Sequence, residues 1–138
     1  MIANKCFIQN KNIFGLSNTA VKVSILENIH FDRDLVAIDW YLYSILLARG
    51  YSAIFTNEVE TFYRQHEENT VGISRLSLES LTQGILVKLK HYKLMRKYNL
   101  EYTKSYEDML LLQKTVKDDP SYIKKINQKN PLWWEDIK

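Results

Sequence analysis

Residues 37–50 read AIDWYLYSILLARG, and this stretch predicts the helix around which the rest of the chain is organised. Apolar side chains fall on nearly every side of it, from Trp40 to Leu47. A helix that is apolar all round is normally buried by neighbours on more than one face. Gly50 follows the last apolar residues and is a typical C-terminal stop. We therefore expect a buried helix over residues 39–49.

Short strands are predicted on both sides of this helix. Upstream, residues 5–8 have a strand-like composition, and residues 20–26 alternate apolar with polar side chains. Downstream, residues 53–56 predict a short buried strand, and residues 58–64 alternate with period two. Strands that flank a buried helix predict α/β organisation.

Beyond Gly72 the apolar spacing becomes helical. Ser77 or Ser74 is available as an N-cap for the first helix of this region. Its apolar residues fall three or four apart and form one stripe, at Leu78, Leu81, Ile85, Leu89 and Tyr92.

Two more helices are predicted towards the C-terminus. The first covers residues 105–117, and the second covers residues 120–128, with Asp119 as its cap and Pro120 at its first position. We therefore expect an α/β unit over residues 1–75, followed by a helical extension over residues 76–138.

Composition limits the chain to one globular domain at most. It has 138 residues, 46% of them hydrophobic, and a single cysteine, Cys6, so an internal disulfide is excluded. No secretory signal is visible, and the longest apolar stretch, residues 35–48, is too short to span a bilayer. These features predict a cytoplasmic protein.

The net charge of +3 is unevenly distributed. Residues 88–97 contain five basic side chains and no acidic one, at Lys88, Lys90, Lys93, Arg96 and Lys97. Such a cluster is typical of a nucleic-acid footprint, of attraction to anionic lipid, or of an ordinary solvated helix face. The solvated face is the commonest of the three outcomes.

Asp39 is the first residue with a chemical interpretation. If the helix begins at Trp40, Asp39 is its N-cap, where backbone N–H groups and the helix dipole stabilise the carboxylate. A plain cap is the structural interpretation.

Two further segments contain candidate binding residues. A glycine turn covers residues 12–19, where Gly15 lets the backbone approach a ligand beside Ser17 and Asn18, although an ordinary turn has the same composition. At the end of a predicted strand, residues 63–66 read Tyr-Arg-Gln-His. Without neighbouring ligands, a lone His66 is most often a hydrogen-bonded loop residue.

In order and spacing, these three segments resemble the later half of a bacterial family 2 glycosyltransferase of the GT-A fold. The resemblance covers residues 12–89 and implies a partial GT-A-type catalytic subdomain followed by a helical C-terminal region. In that family the earlier half carries the nucleotide-binding units and an Asp-x-Asp metal motif. No Asp-x-Asp precedes Gly15, and Asp32-Arg33-Asp34 follows it. We therefore expect the chain to be incomplete alone.

The resemblance also implies a role for each candidate residue. Asp39 corresponds to the general base of an inverting, hexosyltransferase-like enzyme, although Ile38 stands where the family often has a second acid. His66 corresponds to a metal ligand, for Mn²⁺ or Mg²⁺ in a complete enzyme only. The implied substrate-binding residues are Gly15, Ser17, Asn18, Trp40, Arg64 and Gln65.

The implied function is transfer of a sugar from a nucleotide-sugar donor to a glycan or lipid-linked acceptor in cell-envelope polysaccharide biosynthesis. The expected protein partner is a separately encoded nucleotide-binding half or a second copy of the chain, and no nucleic acid is expected. The alternative is a non-catalytic module, derived from a glycosyltransferase, that binds a partner or a membrane. Trp133 and Trp134 are expected to dock on the helices, or else to contact the inner face of the membrane.

Overall fold

In the computed structural model, which describes residues 2–3, 5–6, 8–60 and 77–126, the protein is mostly helical. The three α-helices are α1 (Ile38–Ala48), α2 (Leu78–Met95) and α3 (Glu101–Asp118). Two short 3₁₀ segments cover Val23–Ile25 and Pro120–Lys124. Within the described ranges, strand pairing is limited to β1 (Ile2–Ala3) against β2 (Ala53–Ile54), which are antiparallel with Ile2 opposite Ile54.

The prediction of a buried central helix is confirmed, because every residue from 40 to 47 in α1 is buried. Gly50 ends the helix as predicted and has a φ of +91°. Its N–H donates to the Leu47 carbonyl at 3.1 Å, and the Tyr51 N–H donates to the Leu46 carbonyl at 3.1 Å. These two bonds form the Schellman motif.

The start of α1 differs from the prediction. The N-cap is Ala37, which has no capping side chain, and Asp39 lies inside the first turn. A side chain in the first turn still benefits from the positive end of the helix dipole. The favourable environment inferred for the Asp39 carboxylate therefore persists, although Asp39 is not the cap.

The two upstream strand predictions were wrong. Lys5 and Cys6 lie in a turn, and residues 20–26 contain the 3₁₀ segment Val23–Ile25 instead of a strand. Val23 is 79% exposed, so the alternating pattern does not bury one face. Isolated strands are unstable without neighbours to pair with and pack against.

The downstream strands agree only in part. A strand forms at Ala53–Ile54 as predicted, but Ile54 is 79% exposed instead of buried. Residues 57–59 form a bend, and residues 61–64 of the other predicted strand lie outside the described residues.

The predictions of the C-terminal helices are confirmed in part. Ser77 caps α2 with a capping box, in which its hydroxyl accepts from the Ser80 N–H at 3.0 Å. Helix α3 begins at Glu101, four residues before the predicted start. Asp119 caps the next segment as predicted, accepting from the Ser121 N–H at 3.0 Å, but Pro120–Lys124 forms 3₁₀ instead of α-helix.

One core connects α1 to the C-terminal helices. The Trp40 indole stacks on the His91 ring of α2, with centroids 3.5 Å apart and planes within 4°. The Trp40 Nε1–H donates to the Ile8 carbonyl at 2.7 Å, which ties the N-terminal segment to the same core. The boundary predicted between residues 75 and 76 lies outside the described residues.

The basic segment on α2 does not form a single charged face. Lys88 is only 1% exposed, and its Nζ donates to the Asn10 carbonyl at 3.3 Å. Lys90 pairs with Asp32 at 2.8 Å, so the exposed remainder of the cluster is Lys93, Arg96 and Lys97. Among the described residues, no helix is both long enough and apolar enough to cross a bilayer.

Candidate functional site

The glycine turn is closed by the side chain of Asn18. The Asn18 Oδ1 accepts from the Gly15 N–H at 2.8 Å, and the Asn18 N–H donates to the Gly15 carbonyl at 3.3 Å. A Cβ at Gly15 would lie 3.1 Å from the Asn18 Oδ1, tighter than an ordinary contact. Glycine is therefore favoured by this close approach, while Ser17 and Asn18 face solvent at the tip of the turn.

Asp39 lies half-buried in the first turn of α1. Its Oδ1 accepts from the Trp40 N–H at 2.8 Å, one of the N–H groups that have no partner within the helix. A carboxylate held by a backbone N–H at the positive end of a helix is stabilised as the anion. Asp39 thus presents an oriented carboxylate that is partly open to solvent.

Tyr43 connects the glycine turn to Asp39. It lies one helical turn after Asp39, and its ring centroid is 5.1 Å from that of Phe14, the residue before Gly15. Burial raises the pKa of the Tyr43 hydroxyl, a side-chain hydrogen bond with Thr19 opposes that rise, and the Asp39 charge adds to it. Tyr43 thus packs beside the turn and lies within range of the Asp39 charge.

A second ring completes this support. Phe55, which follows β2, stacks on Phe14 with centroids 5.4 Å apart and an interplanar angle of 24°. Phe14 is thus held between Phe55 and Tyr43 in the core. The backbone of the turn is fixed by this packing relative to the start of α1.

Trp40 has a different position from the other substrate-binding candidates. Its side chain has no exposed surface, and its indole N–H is committed to the Ile8 carbonyl. In this conformation it has no surface with which to contact a substrate. Trp40 supports Asp39 from inside the core.

Arg64, Gln65 and His66 lie outside the described residues, so the metal and diphosphate roles inferred for them stay predictions. In the described part of the chain, no three His, Cys, Asp or Glu residues are grouped to hold a metal ion. Asp32 and Asp34, which have the Asp-x-Asp form, are instead engaged by Lys90, at 2.8 and 3.7 Å. The hydrogen bond from Lys90 is the main cause of the lowered pKa of Asp32.

Large apolar side chains are exposed near these residues in sequence. Leu16, in the turn, is 58% exposed, and Ile38, immediately before Asp39, is 43% exposed. Val36 and Phe31 are exposed to a similar degree. Single exposed apolar side chains are common on protein surfaces, whereas a contiguous group of them marks an interaction site.

Sequence reasoning missed two features of this region. The link through Tyr43 was signalled only by its position four residues after Asp39 on the same helix face. The burial of Lys88 could have been inferred, because residues 81, 85, 88, 92 and 95 follow a spacing of four and three. That spacing places residue 88 on the apolar stripe of α2.

Comparison with known proteins gives one significant resemblance to a curated sequence. The chain is 34% identical over 73 residues to the dTDP-rhamnosyl transferase RfbG of Shigella flexneri. The matched segment is 52% of this chain but only 25% of the transferase. No protein-family profile matches the chain, and no solved structure matches it significantly. The match supports a relationship to glycosyltransferases.

Proposed function

We propose that this chain is the acceptor-side part of a family 2 glycosyltransferase of the GT-A type, with Asp39 as its general base. The observation that carries the proposal is that Tyr43 of α1 packs on Phe14 beside the Gly15–Asn18 turn while Asp39 lies in the first turn of the same helix, in a chain related to a dTDP-rhamnosyl transferase. The reaction is transfer of a sugar from a nucleotide-sugar donor to a glycan or lipid-linked acceptor. dTDP-rhamnose is the first donor to test.

In this proposal Asp39 accepts the proton of the acceptor hydroxyl as its oxygen attacks the anomeric carbon of the donor from the side opposite the leaving diphosphate. Attack from that side inverts the anomeric configuration. The Trp40 N–H orients the Asp39 carboxylate at the start of α1. A weak base suffices where proton transfer is concerted with attack on a sugar whose leaving group is departing.

The remaining candidates act around this carboxylate. Ser17 and Asn18 offer polar groups to the acceptor or the donor sugar, beside the backbone at Gly15. Arg64 and Gln65 contact the leaving diphosphate. His66 completes the coordination of Mn²⁺ or Mg²⁺, a cation that neutralises diphosphate charge when bound.

The nucleotide-binding function belongs, in this proposal, to a partner: a separately encoded half or a second copy of the chain. Exposed apolar residues beside the site, Leu16 and Ile38 among them, support a covering partner. The same exposed residues favour the alternative of a non-catalytic partner-binding module. Lipid-linked acceptors place the enzyme on the cytoplasmic side of the membrane, in peripheral contact with it.

A chimera tests the catalytic role. Residues 12–89 of this chain replace the corresponding segment of the Shigella transferase, and rhamnosyl transfer from dTDP-rhamnose is measured. Asp39→Asn should lower transfer by roughly 10² or more, because the amide cannot accept a proton. Asp34→Asn, the same change at an exposed aspartate, is the matched control and should leave the rate within about twofold of the parent chimera.

Measurement of donor binding distinguishes the loss of a general base from the loss of donor affinity. The Asp39→Asn chimera should bind dTDP-rhamnose as the parent chimera does, and circular dichroism should show the same helical content. Transfer by Asp39→Asn within about tenfold of the parent would reject Asp39 as the base. Calorimetry of the unmodified chain with dTDP-rhamnose and Mn²⁺ should give no binding. Tight binding by a monomer would show that the chain holds its own donor site.

A further inference from the structure

A cleft lies between the N-terminal segment and helices α2 and α3. It has a volume of about 440 Å³ and is bounded by Gln9 and Asn10 of the N-terminal segment, by α2 and by α3. Sites for small molecules typically occupy roughly 300–1,000 Å³. The cleft is therefore large enough for a ligand.

One wall of the cleft is a polar face of α3. Glu101, Lys104, Ser105 and Asp108 are spaced at i, i+3, i+4 and i+7, which places them on one side of a helix. This face turns towards the N-terminal segment, where a helix normally presents apolar residues. Polar groups from two chain segments thus converge on a shared concave space.

The opposite wall is held in place by hydrogen bonds. Lys88, only 1% exposed, donates to the Asn10 carbonyl at 3.3 Å, and the Tyr92 hydroxyl donates to the Asn10 Oδ1 at 3.4 Å. The Gln9 Nε2 donates to the Ser105 hydroxyl at 3.4 Å, which ties this wall to α3. Because these hydrogen bonds already order the wall in the free protein, ligand binding costs less conformational entropy.

Charges of both signs line the cleft. Glu101 and Asp108 lie beside Lys104, whereas the Lys88 ammonium is buried and donates to the Asn10 carbonyl, so an anion would face two carboxylates and a cation would face Lys104. A neutral molecule with many hydroxyl groups can satisfy both kinds, since a hydroxyl donates to a carboxylate and accepts from an ammonium. Met109 adds apolar surface of the kind that contacts the C–H face of a sugar ring.

We propose that this cleft between residues 9–10 and the polar face of α3 binds a neutral saccharide. The proposal that the cleft binds a saccharide is argued from the cleft residues alone. The assignment of the cleft as a subsite for the acceptor glycan rests on the proposed function. A subsite away from the reacting hydroxyl would recognise a sugar of the acceptor that is not itself modified.

Titration of the full chain, followed by amide chemical shifts in NMR spectra, tests the proposal. The probes are methyl α-D-glucopyranoside and N-acetyl-D-glucosamine, up to about 50 mM, well above a millimolar Kd. We expect shifts in α3 residues of the cleft and in Gln9 and Asn10. Asp108→Ala should weaken binding about fivefold or more, because a hydrogen bond to a charged group is lost. Glu107→Ala, the same change at the neighbouring exposed residue, is the control and should leave the affinity within about twofold.

Three results would overturn the cleft: no shifts with either saccharide, equal effects of Asp108→Ala and Glu107→Ala, or larger shifts with inorganic phosphate or Mg²⁺ than with the saccharides. The two proposals fail separately. Saccharide binding that persists in Asp39→Asn, beside a chimera whose transfer is insensitive to Asp39, would retain the cleft and reject the base. Transfer that depends on Asp39, together with the absence of chemical-shift changes on saccharide addition, would retain Asp39 as the base and reject the cleft as a saccharide site.

Discussion

His91 should make the stability of this protein depend on pH in a range where few other groups titrate. The ring is fully buried and stacks on Trp40, and neither ring nitrogen has a hydrogen-bond partner among the described residues. The edges of Tyr41, Tyr92 and Tyr102 surround it. Burial, and then the nearby Lys88 charge, hold the pKa of His91 well below its ordinary value of 6.5.

The sign follows from which state binds the proton. Below pH 6.5 the unfolded chain protonates His91 and the folded chain does not, so proton binding stabilises the unfolded state relative to the folded state as pH falls. With an unfolded pKa of about 6.5, the cost to folding is below about 0.1 kcal/mol at pH 7.5 and about 1.4 kcal/mol at pH 5.5. Stability from this group is therefore full above pH 6.5 and is lost as pH falls towards the folded pKa.

Urea unfolding at pH 7.5, 6.5 and 5.5, compared between wild type and His91→Phe, measures this cost. Phenylalanine keeps a flat ring against Trp40 and cannot bind a proton. Because both proteins contain the same carboxylates, the effect of carboxylate titration on stability cancels in the difference between them. The free energy of unfolding should fall about 1.4 kcal/mol further in wild type than in His91→Phe between pH 7.5 and 5.5. His30→Gln, which retains His91, should keep the wild-type decline. Parallel profiles for wild type and His91→Phe would refute the argument, since they would mean that the folded state accepts the proton.

Three changes test the local structure by chemical or thermal unfolding. Gly50→Ala should destabilise by roughly 1–2 kcal/mol, because the φ of +91° is strained for an L side chain although no atom lies within 4 Å of the added Cβ; an unchanged midpoint would contradict the Schellman assignment. Ser77→Ala removes the cap of α2 and should cost about 1 kcal/mol, whereas Ser77→Asp should restore most of it. Trp40→Phe leaves the buried Ile8 carbonyl without its 2.7 Å donor and should cost roughly 1–3 kcal/mol beyond the loss of ring contact; a cost below about 0.5 kcal/mol would show that the bond adds little.

The helices were largely predictable because their signals are local. The four-and-three spacing of α2, the Ser77 cap and the Gly50 stop are each read within one or two turns of chain. The strand prediction for residues 20–26 was wrong for the opposite reason. An alternating segment forms a strand only if another strand pairs with it, and the sequence of the segment does not show whether such a partner exists. The early start of α3 was missed because its first turn is polar except for Tyr102, which is buried.

The candidate site was predictable in part for the same reasons. That Asp39 lies at the start of a helix follows from local sequence, and so does the turn at Gly15. The packing of the turn on α1 does not, because it depends on Phe14, Tyr43 and Thr19, which are brought together by the fold. Lys88 was predicted to belong to a charged surface segment because of its basic neighbours, although it is buried.

The close pairing of α2 with α3 has a kinetic consequence. The two helices are adjacent in sequence, separated only by residues 96–100, so they can meet after closure of a very short loop. The bond from Trp40 to Ile8 and that from Lys88 to Asn10 instead join residues 32 and 78 positions apart. Contacts between distant residues form more slowly than local ones. The α2–α3 hairpin should thus be the folding nucleus, and the segment that carries Asp39 should acquire its position only when it docks on that preformed hairpin.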